Sequence, residues 1–138
     1  MGPPVMALVL DNSVIVGWFL KDQANDYTRR IARRARREEL VVPALWETEF
    51  ANVMTMLARR RMLPRHQVAT ILGQAERLNL QVDREAVSPR KLFGLTERHA
   101  VSAYDAAYLE LAERRGLPLA TRDGSLAGAA RAAGVTLA

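Results

Sequence analysis

The apolar positions of this chain form short continuous runs that alternate with longer segments of helical spacing. The run from Val5 to Leu10 ends at Asp11, a pattern typical of a buried parallel strand. Shorter apolar runs predict further strands at Leu40 to Val42, Leu80 to Val82, Leu117 to Ala120 and Val135 to Leu137. We therefore expect a mainly parallel central sheet of about four to five strands.

The segments between these runs predict helices, because their apolar residues recur three or four positions apart. Ser88 and Pro89 form a cap and a first helical position, and Gly116 follows the last periodic residue of a later segment. The predicted helices are Ser13 to Leu20, Tyr27 to Glu38, Leu45 to Arg61, Pro64 to Leu78, Ser88 to His99, Ser102 to Gly116 and Gly124 to Ala133. This alternation predicts an α/β fold of three layers, with helices on both faces of the sheet.

No repeat, linker or low-complexity segment interrupts the 138 residues, so we expect one domain spanning residues 1–138. The sequence leaves open whether residues 1–5 belong to the native, ordered domain, because Met6 is an alternative start. The longest apolar run is far shorter than the roughly 20 residues of a membrane-spanning helix, and no secretory signal is recognisable. We therefore expect a soluble cytoplasmic protein without a membrane partner.

Composition and charge limit the kinds of catalytic and metal-binding site that the chain can form. The chain has no cysteine, which removes thiol nucleophiles, disulfides and most structural zinc sites. Its two histidines, His66 and His99, lie far apart in the sequence, which argues against a histidine-rich metal site. The formal net charge is +5, which favours an anionic partner.

Arginines crowd into the segment from Tyr27 to Glu38, where Tyr27, Ile31 and Ala35 form an apolar stripe and the arginines fill the other faces. Two interpretations stay open, a solvated helix face and a surface that contacts phosphates. The candidates for contact with nucleic acid are Arg29, Arg30, Arg33, Arg34 and Arg37.

Three aspartates fall where a parallel sheet binds ligands, beyond the carboxyl ends of its strands. Asp11 follows the first strand, Asp123 follows the strand that ends at Ala120, and Asp105 lies in the first turn of a helix. Each alone could cap a helix, and Ser102 with Asp105 resembles a capping box. Together, three aspartates at one sheet edge favour a carboxylate cluster.

A fourth acid is expected from the helix that begins near Leu45. Glu47 and Glu49 flank its apolar stripe on opposite sides at similar angles, so the periodicity does not choose between them. Glu47 would also suit the positive end of the helix dipole.

Four segments carry these residues in order: Val-Leu-Asp11-Asn-Ser13, Pro43-x-Leu-Trp-x-x-Glu49-x-x-Asn52, Ser102-Ala-Tyr-Asp105-Ala-Ala-Tyr108 and Leu-Ala-Thr121-Arg-Asp123. In this order and spacing they resemble the PIN-domain nucleases, specifically the VapC-type toxins of bacterial and archaeal toxin–antitoxin pairs. The likeness covers essentially the whole chain. It also selects Glu49 over Glu47, because the family pattern Glu-x-x-Asn matches Glu49 with Asn52.

The resemblance implies a PIN-like fold and a metal-dependent endoribonuclease that acts as a toxin. In this family acidic residues hold Mg²⁺ or Mn²⁺, and a set of oxygen ligands without histidine or cysteine suits such ions. The matching positions here are Asp11, Glu49, Asp105 and Asp123. We expect Asp11 and Asp105 to be the principal ligands and Asp123 a further one, while Glu49 ligates or orients the attacking water.

The family further implies side chains that orient these ligands, and the candidates are Ser13, Asn52 and Thr121. It implies a structured RNA substrate such as tRNA or rRNA, a homodimer, and inhibition by a cognate VapB-like antitoxin. Without the four acids, 11 acidic residues remain against 20 basic ones, so an acidic site would lie within a cationic surface. Stacking on bases is open to Trp18, Trp46, Tyr27 and Tyr104, although core packing is favoured for Trp46 and Tyr104.

Other interpretations use the same residues. The protein could be a nucleic-acid-processing nuclease without an antitoxin, or a non-catalytic RNA-binding module in which the acids are helix caps. A phosphoacceptor receiver domain also begins with an aspartate after a strand, but its paired acids and lysine are missing here. A haloacid-dehalogenase-like phosphotransferase would require Asp-x-Asp, where this chain has Asp11-Asn-Ser13.

Overall fold

The computed structural model of the protein describes residues 6–138. Within these residues four strands form one parallel sheet in the order β3-β2-β1-β4: β1 (Ala7–Leu10), β2 (Glu39–Pro43), β3 (Gln81–Asp83) and β4 (Leu119–Ala120). The helices are α1 (Asn12–Phe19), α2 (Asp26–Ala35), α3 (Leu45–Arg59), α4 (Arg65–Glu76), α5 (Pro89–His99), α6 (Ala103–Arg115) and α7 (Gly124–Ala132), with a short 3-10 helix at Lys21–Gln23.

Two apolar cores lie on opposite faces of the sheet, because successive side chains of a strand point to opposite sides. Leu8 and Leu10 of β1 face the core that is shared with α1 to α4. Val9 of the same strand faces the second core, to which α5, α6 and α7 contribute. Both faces of the sheet are therefore covered, and the predicted three-layer α/β fold is confirmed.

The predicted helix boundaries hold where a local signal specifies them. The Ser88 side chain caps α5 by accepting the N–H of Lys91 at 3.2 Å, and Pro89 is the first helical residue. Gly116 ends α6 with a φ of +63°, which glycine adopts without strain. These signals act within one turn of the chain, which is why the sequence reveals them.

Other predicted elements differ. The strand expected at Val135 to Leu137 is wrong, since this segment meets β4 only through an isolated bridge between Leu119 and Leu137. β4 itself has two residues, which limits the ladder available to a neighbour. The 3-10 helix was not expected, and Val5 lies outside the described residues.

An ion network joins α6 to the end of the edge strand β3. Glu110 is 2% exposed and accepts hydrogen bonds from Arg114 (2.7 Å) and Lys91 (3.3 Å). Arg114 also donates to Asp83 at 3.0 Å and to Glu85 at 2.6 Å. Separating a buried acid from its charged partners is costly, so this network fixes α6 against the sheet.

Among the described residues, no helix is long and apolar enough to cross a membrane.

Candidate active site

Asp11 lies at the carboxyl end of β1, where two hydroxyl groups hold its carboxylate. Ser13 Oγ donates to Asp11 Oδ2 over 2.7 Å, and Thr121 Oγ1 donates to the same oxygen over 2.8 Å. Ser13 Oγ in turn accepts the backbone N–H of Arg122 at 3.0 Å. Thr121 Oγ1 accepts the backbone N–H of Asp123, also at 3.0 Å. Because both hydroxyl donors reach Oδ2, the orientation of this carboxylate is fixed.

Glu49 is oriented by a buried tyrosine. Tyr108 is fully buried on α6, and its hydroxyl donates to Glu49 Oε1 over 2.6 Å. Glu47, two residues earlier on α3, instead forms a bidentate pair with Arg84, with both distances at 2.9 Å. The two glutamates that periodicity could not distinguish therefore have different partners, and Glu49 is the one near Asp11, whose charge raises its pKa.

The capping interpretation applies to one of the three aspartates. Asp123 caps α7, because its Oδ1 accepts the N–H of Ser125 at 2.8 Å. Asp11 precedes α1 but makes no side-chain capping bond. At α6 the Ser102 hydroxyl caps by accepting the N–H of Asp105 at 3.1 Å, and no reciprocal bond from the Asp105 carboxylate completes a capping box.

Burial, together with the charge of neighbouring acids, raises the pKa of three acidic side chains at this edge, those of Asp11, Glu49 and Asp105. Burial is the main cause that lifts the pKa of Asp105 to about 6, and the neighbouring charges of Asp123 and Asp11 add to it. Burial raises the pKa of Asp11 as well, although its hydroxyl donors oppose the shift. The pKa of Glu49 is raised by burial and lowered in part by the hydrogen bond from Tyr108. Such repulsion is what a bound cation relieves.

The donor set fits a hard divalent cation, because it consists of carboxylate oxygens without histidine or cysteine. Within residues 6–138, none of the four acids forms an ion pair with a basic side chain. Asn12 Oδ1, next to Asp11 in the chain, is buried without a hydrogen-bond partner among the same residues. No three acidic or histidine side chains of the described chain are already arranged as a metal-binding group. An ion would therefore have to draw the carboxylates together.

Two of the three side chains predicted to orient the acidic residues, those of Ser13 and Thr121, form hydrogen bonds with one of them, and the third, that of Asn52, does not. Ser13 and Thr121 contact Asp11 as described, which agrees with an orienting role. Asn52 is exposed on α3 and its side chain forms no hydrogen bond with residues 6–138, so its role stays a prediction. Arg122 is a contact that the sequence did not reveal: its guanidinium approaches Ser13 O at 3.4 Å and Gln23 Oε1 at 3.5 Å.

Of the five arginines predicted to contact nucleic acid, two form ion pairs with acidic side chains. Arg29 pairs with Asp26 at 3.0 Å, and Arg34 pairs with Glu38 through two contacts of 2.7 and 3.0 Å. The other candidates are exposed and form no ion pair with the residues that the structure describes: Arg30, Arg33 and Arg37.

The aromatic residues only partly follow expectation. Trp46 is buried beside Phe50 at a ring-centroid distance of 5.2 Å, which confirms core packing. Core packing is wrong for Tyr104, which is 65% exposed. Trp18 is partly buried, and its Nε1 donates to Thr28 O over 2.8 Å, which limits its freedom to stack on a base.

Tyr27 was expected only as an apolar or stacking residue, yet it links α2 to the acidic edge. Its hydroxyl accepts the backbone N–H of Thr121 at 3.2 Å and donates to Ala138 O over 3.1 Å. Neither this contact nor the bond from Tyr108 has a local signal, because the partners lie 94 and 59 positions away. The sequence offers only the general expectation that the hydroxyl of a buried tyrosine finds a hydrogen-bond partner.

A parallel α/β sheet with four acids at its carboxyl edge is the architecture of a PIN domain. The family model described as PIN domain matches residues 8–132, and the chain belongs to this family. The resemblance drawn from the four motifs is thereby confirmed.

Within the family the chain is similar in sequence to proteins named as VapC ribonucleases. Ribonuclease VapC3 of Pyrobaculum aerophilum is 32% identical over 124 residues, which cover 88% of this chain and 93% of that protein. Ribonuclease VapC12 of Mycobacterium tuberculosis is 32% identical over 122 residues, covering 87% and 89%. The crystal structure of VapBC2 from Rickettsia felis, bound to a DNA fragment from their promoter, has the same fold: its TM-score is 0.66 at 12% identity, with 96% of this chain and 98% of that chain covered.

Proposed function

We propose that this protein is a metal-dependent endoribonuclease that acts as the toxin of a toxin–antitoxin pair. The observation that carries the proposal is the meeting of Asp11, Glu49 and Asp105 at one sheet edge, with raised pKa values and without basic partners among residues 6–138. The similarity to two proteins named ribonuclease VapC supports RNA as the substrate.

Mg²⁺ or Mn²⁺, when bound, would supply Lewis-acid activation of water and offset the charge of the phosphate. Asp11 and Asp105 are the ligands that we assign to it, with Asp123 as a further ligand through the oxygen that does not cap α7. The Ser13 and Thr121 hydroxyls keep Asp11 in one orientation, so less conformational freedom is lost when the ion binds.

Glu49 is the residue that we assign to the attacking water. Tyr108 holds Glu49 Oε1, which leaves Oε2 to accept a proton from water as it attacks the phosphorus atom. The water oxygen forms a new bond to phosphorus while the bond to the leaving ribose oxygen breaks, and that oxygen takes a proton from solvent. A raised pKa makes Glu49 a better base near neutral pH than an exposed glutamate.

The expected partners follow from the same assignment. The substrate is RNA, with structured tRNA or rRNA as the first candidates, and a VapB-like antitoxin would inhibit cleavage. A neighbour in the structural comparison is the VapBC2 complex, which supports an antitoxin partner. A homodimer is expected, and apolar side chains such as Phe93, which is 63% exposed on α5, are available for its interface. Light scattering of the purified protein tests the dimer.

The central experiment incubates the purified protein with tRNA and with rRNA in Mg²⁺, in Mn²⁺ or in EDTA. Cleavage should require one of the two ions and should be lost in Asp105→Asn. A folded Asp105→Asn protein that still cleaves would contradict the assignment. If the wild-type protein binds RNA but cleaves none under any condition, the non-catalytic RNA-binding function is correct instead. Co-expression with the product of a short open reading frame immediately upstream tests the antitoxin.

A further inference from the structure

The arginines of α2 differ in how much of their charge is available to a partner. Asp26 offsets the charge of Arg29, and Glu38 offsets that of Arg34 through two contacts. Glu38 is the better shielded of these acids, because its side chain is 8% exposed while that of Asp26 is fully exposed. Among residues 6–138, four arginines of this helix and the turn after it form no ion pair: Arg30, Arg33, Arg36 and Arg37.

Arg30, Arg33 and Arg37 lie on one side of the helix, whereas a spacing of six residues from Arg30 places Arg36 on another side. Spacings of three and seven residues bring Arg33 and Arg37 to the same face as Arg30, about 10 Å apart from the first to the last. α2 ends at Ala35, but the N–H of Arg37 still donates to Arg34 O over 2.9 Å, which continues the helical turn. We call Arg30, Arg33 and Arg37 the α2 stripe.

The α2 stripe begins beside the acidic cleft. Arg30 lies over the ring of Tyr27, with its Cζ 5.2 Å from the ring centroid. The hydroxyl of Tyr27 accepts the backbone N–H of Thr121, and Thr121 donates to Asp11. One tyrosine therefore separates the first arginine of the stripe from a strand whose end forms the cleft.

The stripe then leads away from the cleft. α2 begins at the carboxyl edge of the sheet, where Tyr27 contacts Thr121, and its end precedes β2, which enters the sheet from the opposite edge. A polyanion whose reacting phosphate lies in the cleft would meet these cations with its following phosphates. Arginine suits this contact, because its planar guanidinium donates two parallel hydrogen bonds to a phosphate.

We propose that the α2 stripe is a phosphate-binding track that holds the RNA strand where it leaves the cleft. The inference rests on the proposed ribonuclease function and adds the path of the substrate. Arg29 and Arg34 are excluded from the track, because their guanidinium groups are engaged with carboxylates. The track carries no sequence preference, since phosphate contacts position a strand without reading its bases.

The test compares two variants in binding to a fluorescein-labelled single-stranded RNA without secondary structure, measured in EDTA over a series of salt concentrations. The first variant is Arg30→Gln with Arg33→Gln and Arg37→Gln, and the second is Arg29→Gln with Arg34→Gln. Each phosphate contact to a single strand contributes about 0.7 to the slope of log K against log salt. The first variant should lose about 2 from the slope, and the second should change it little.

The outcomes separate this inference from the proposed function. An unchanged slope in the first variant overturns the track, and so does an equal loss of slope per charge in both variants, because net charge alone would then explain binding. Cleavage of RNA by the wild-type protein is measured separately in Mg²⁺ or Mn²⁺. A wild-type protein that cleaves no RNA while the first variant loses slope refutes the ribonuclease and supports the track. Circular dichroism and thermal unfolding establish that both variants fold.

Discussion

Tyr108 donates a hydrogen bond of 2.6 Å from a fully buried hydroxyl to Glu49 Oε1. The bond joins α6, which also carries Asp105, to α3, which carries Glu49. Burial raises the pKa of the tyrosine far above its ordinary value, so the hydroxyl remains a donor at every physiological pH. Glu49 is thereby kept as an acceptor with one oxygen directed by the protein and the other available.

Glu49→Gln should reduce RNA cleavage by about 100-fold or more, because a carboxylate that takes a proton or holds an ion is lost. Glu47→Gln is the matched control on the same helix, and it should change cleavage less than about threefold, since Glu47 only pairs with exposed Arg84. Initial rates on the same RNA in Mg²⁺ compare the two. Equal losses in both variants would contradict the assignment of Glu49.

Tyr108→Phe should slow RNA cleavage by about 10-fold, because Glu49 loses the donor that orients it toward the attacking water. The aromatic ring and its packing are kept, so the free energy of unfolding should fall by only about 1 kcal/mol. Initial rates on the same RNA in Mg²⁺ measure this loss. Calorimetric titration should show little change in the affinity for Mn²⁺, because the assigned ligands are Asp11, Asp105 and Asp123. Tyr104→Phe removes an exposed hydroxyl and serves as the control, and a similar drop there would argue against a specific role of the buried one.

Asp105→Asn should stabilise the metal-free protein above pH 6. The pKa of Asp105 is about 6 in the folded protein against an ordinary value of 3.8, so the folded state binds the proton more tightly than the unfolded state. The free energy of unfolding of the wild type therefore falls as the pH rises from about 4 to about 6, and Asn avoids this loss. We expect a gain of about 1 kcal/mol for this partly exposed group.

Urea unfolding in EDTA at pH 4 and at pH 7 measures this difference. The advantage of the Asn variant should be present at pH 7 and nearly absent at pH 4. A variant that is less stable than the wild type at pH 7 would mean that the carboxylate stabilises the start of α6 after all.

Ser13→Ala and Thr121→Val should each weaken Mn²⁺ binding, because each removes one of the hydroxyls that fix Asp11. A loss of about 10-fold per variant is expected. Since both donors share Asp11 Oδ2, the two losses should not add, and a double-mutant cycle measures their coupling. Thr70→Val removes an exposed hydroxyl that donates to His66 O on α4, and it should leave the affinity unchanged.

Gly17→Ala should destabilise the protein by about 1–3 kcal/mol through overpacking. A Cβ at this position would lie 2.8 Å from Thr28 Cγ2 and 3.1 Å from Arg122 Nη1. Gly73→Ala is the control inside another helix, where a Cβ meets no atom within 4 Å, so it should stabilise by about 0.5–1 kcal/mol. Thermal unfolding of both variants checks the opposite signs.

The features of this fold that the sequence predicts correctly depend on residues that are close together in the chain. Ser88 and Ser102 cap helices that begin at the next residue, and Gly116 ends one, because capping depends on neighbouring backbone groups. The pattern of Leu8, Val9 and Leu10 likewise distributes one strand between two cores. Asp11 and Asp105 were predicted for the site from their positions after a strand and in the first turn of a helix, and the family motif then selected Glu49 over Glu47.

The parts that do not follow depend on distant groups. Nothing near Val135 to Leu137 reveals that the adjoining strand is only two residues long, so a strand was predicted where a single bridge forms. Tyr104 lies among apolar residues in the sequence and is nevertheless exposed, because its side of α6 lacks a neighbour among the described residues. The bond from Thr121 to Asp11 and the bond from Tyr108 to Glu49 join positions 110 and 59 residues apart, which no local pattern encodes.

The separation of these contacts along the chain has a consequence for synthesis in the cell. A chain is made from its N-terminus, and Asp11 leaves the ribosome long before Thr121, which must return to β1 to complete its hydrogen bond. Glu49 is likewise made before Tyr108, the residue that orients it. A nascent or truncated chain that lacks Tyr108 and Thr121 therefore contains Asp11 and Glu49 without these orienting hydrogen bonds. Under the proposed function, RNA cleavage would begin only after the C-terminal part of the chain has been made and has folded against β1.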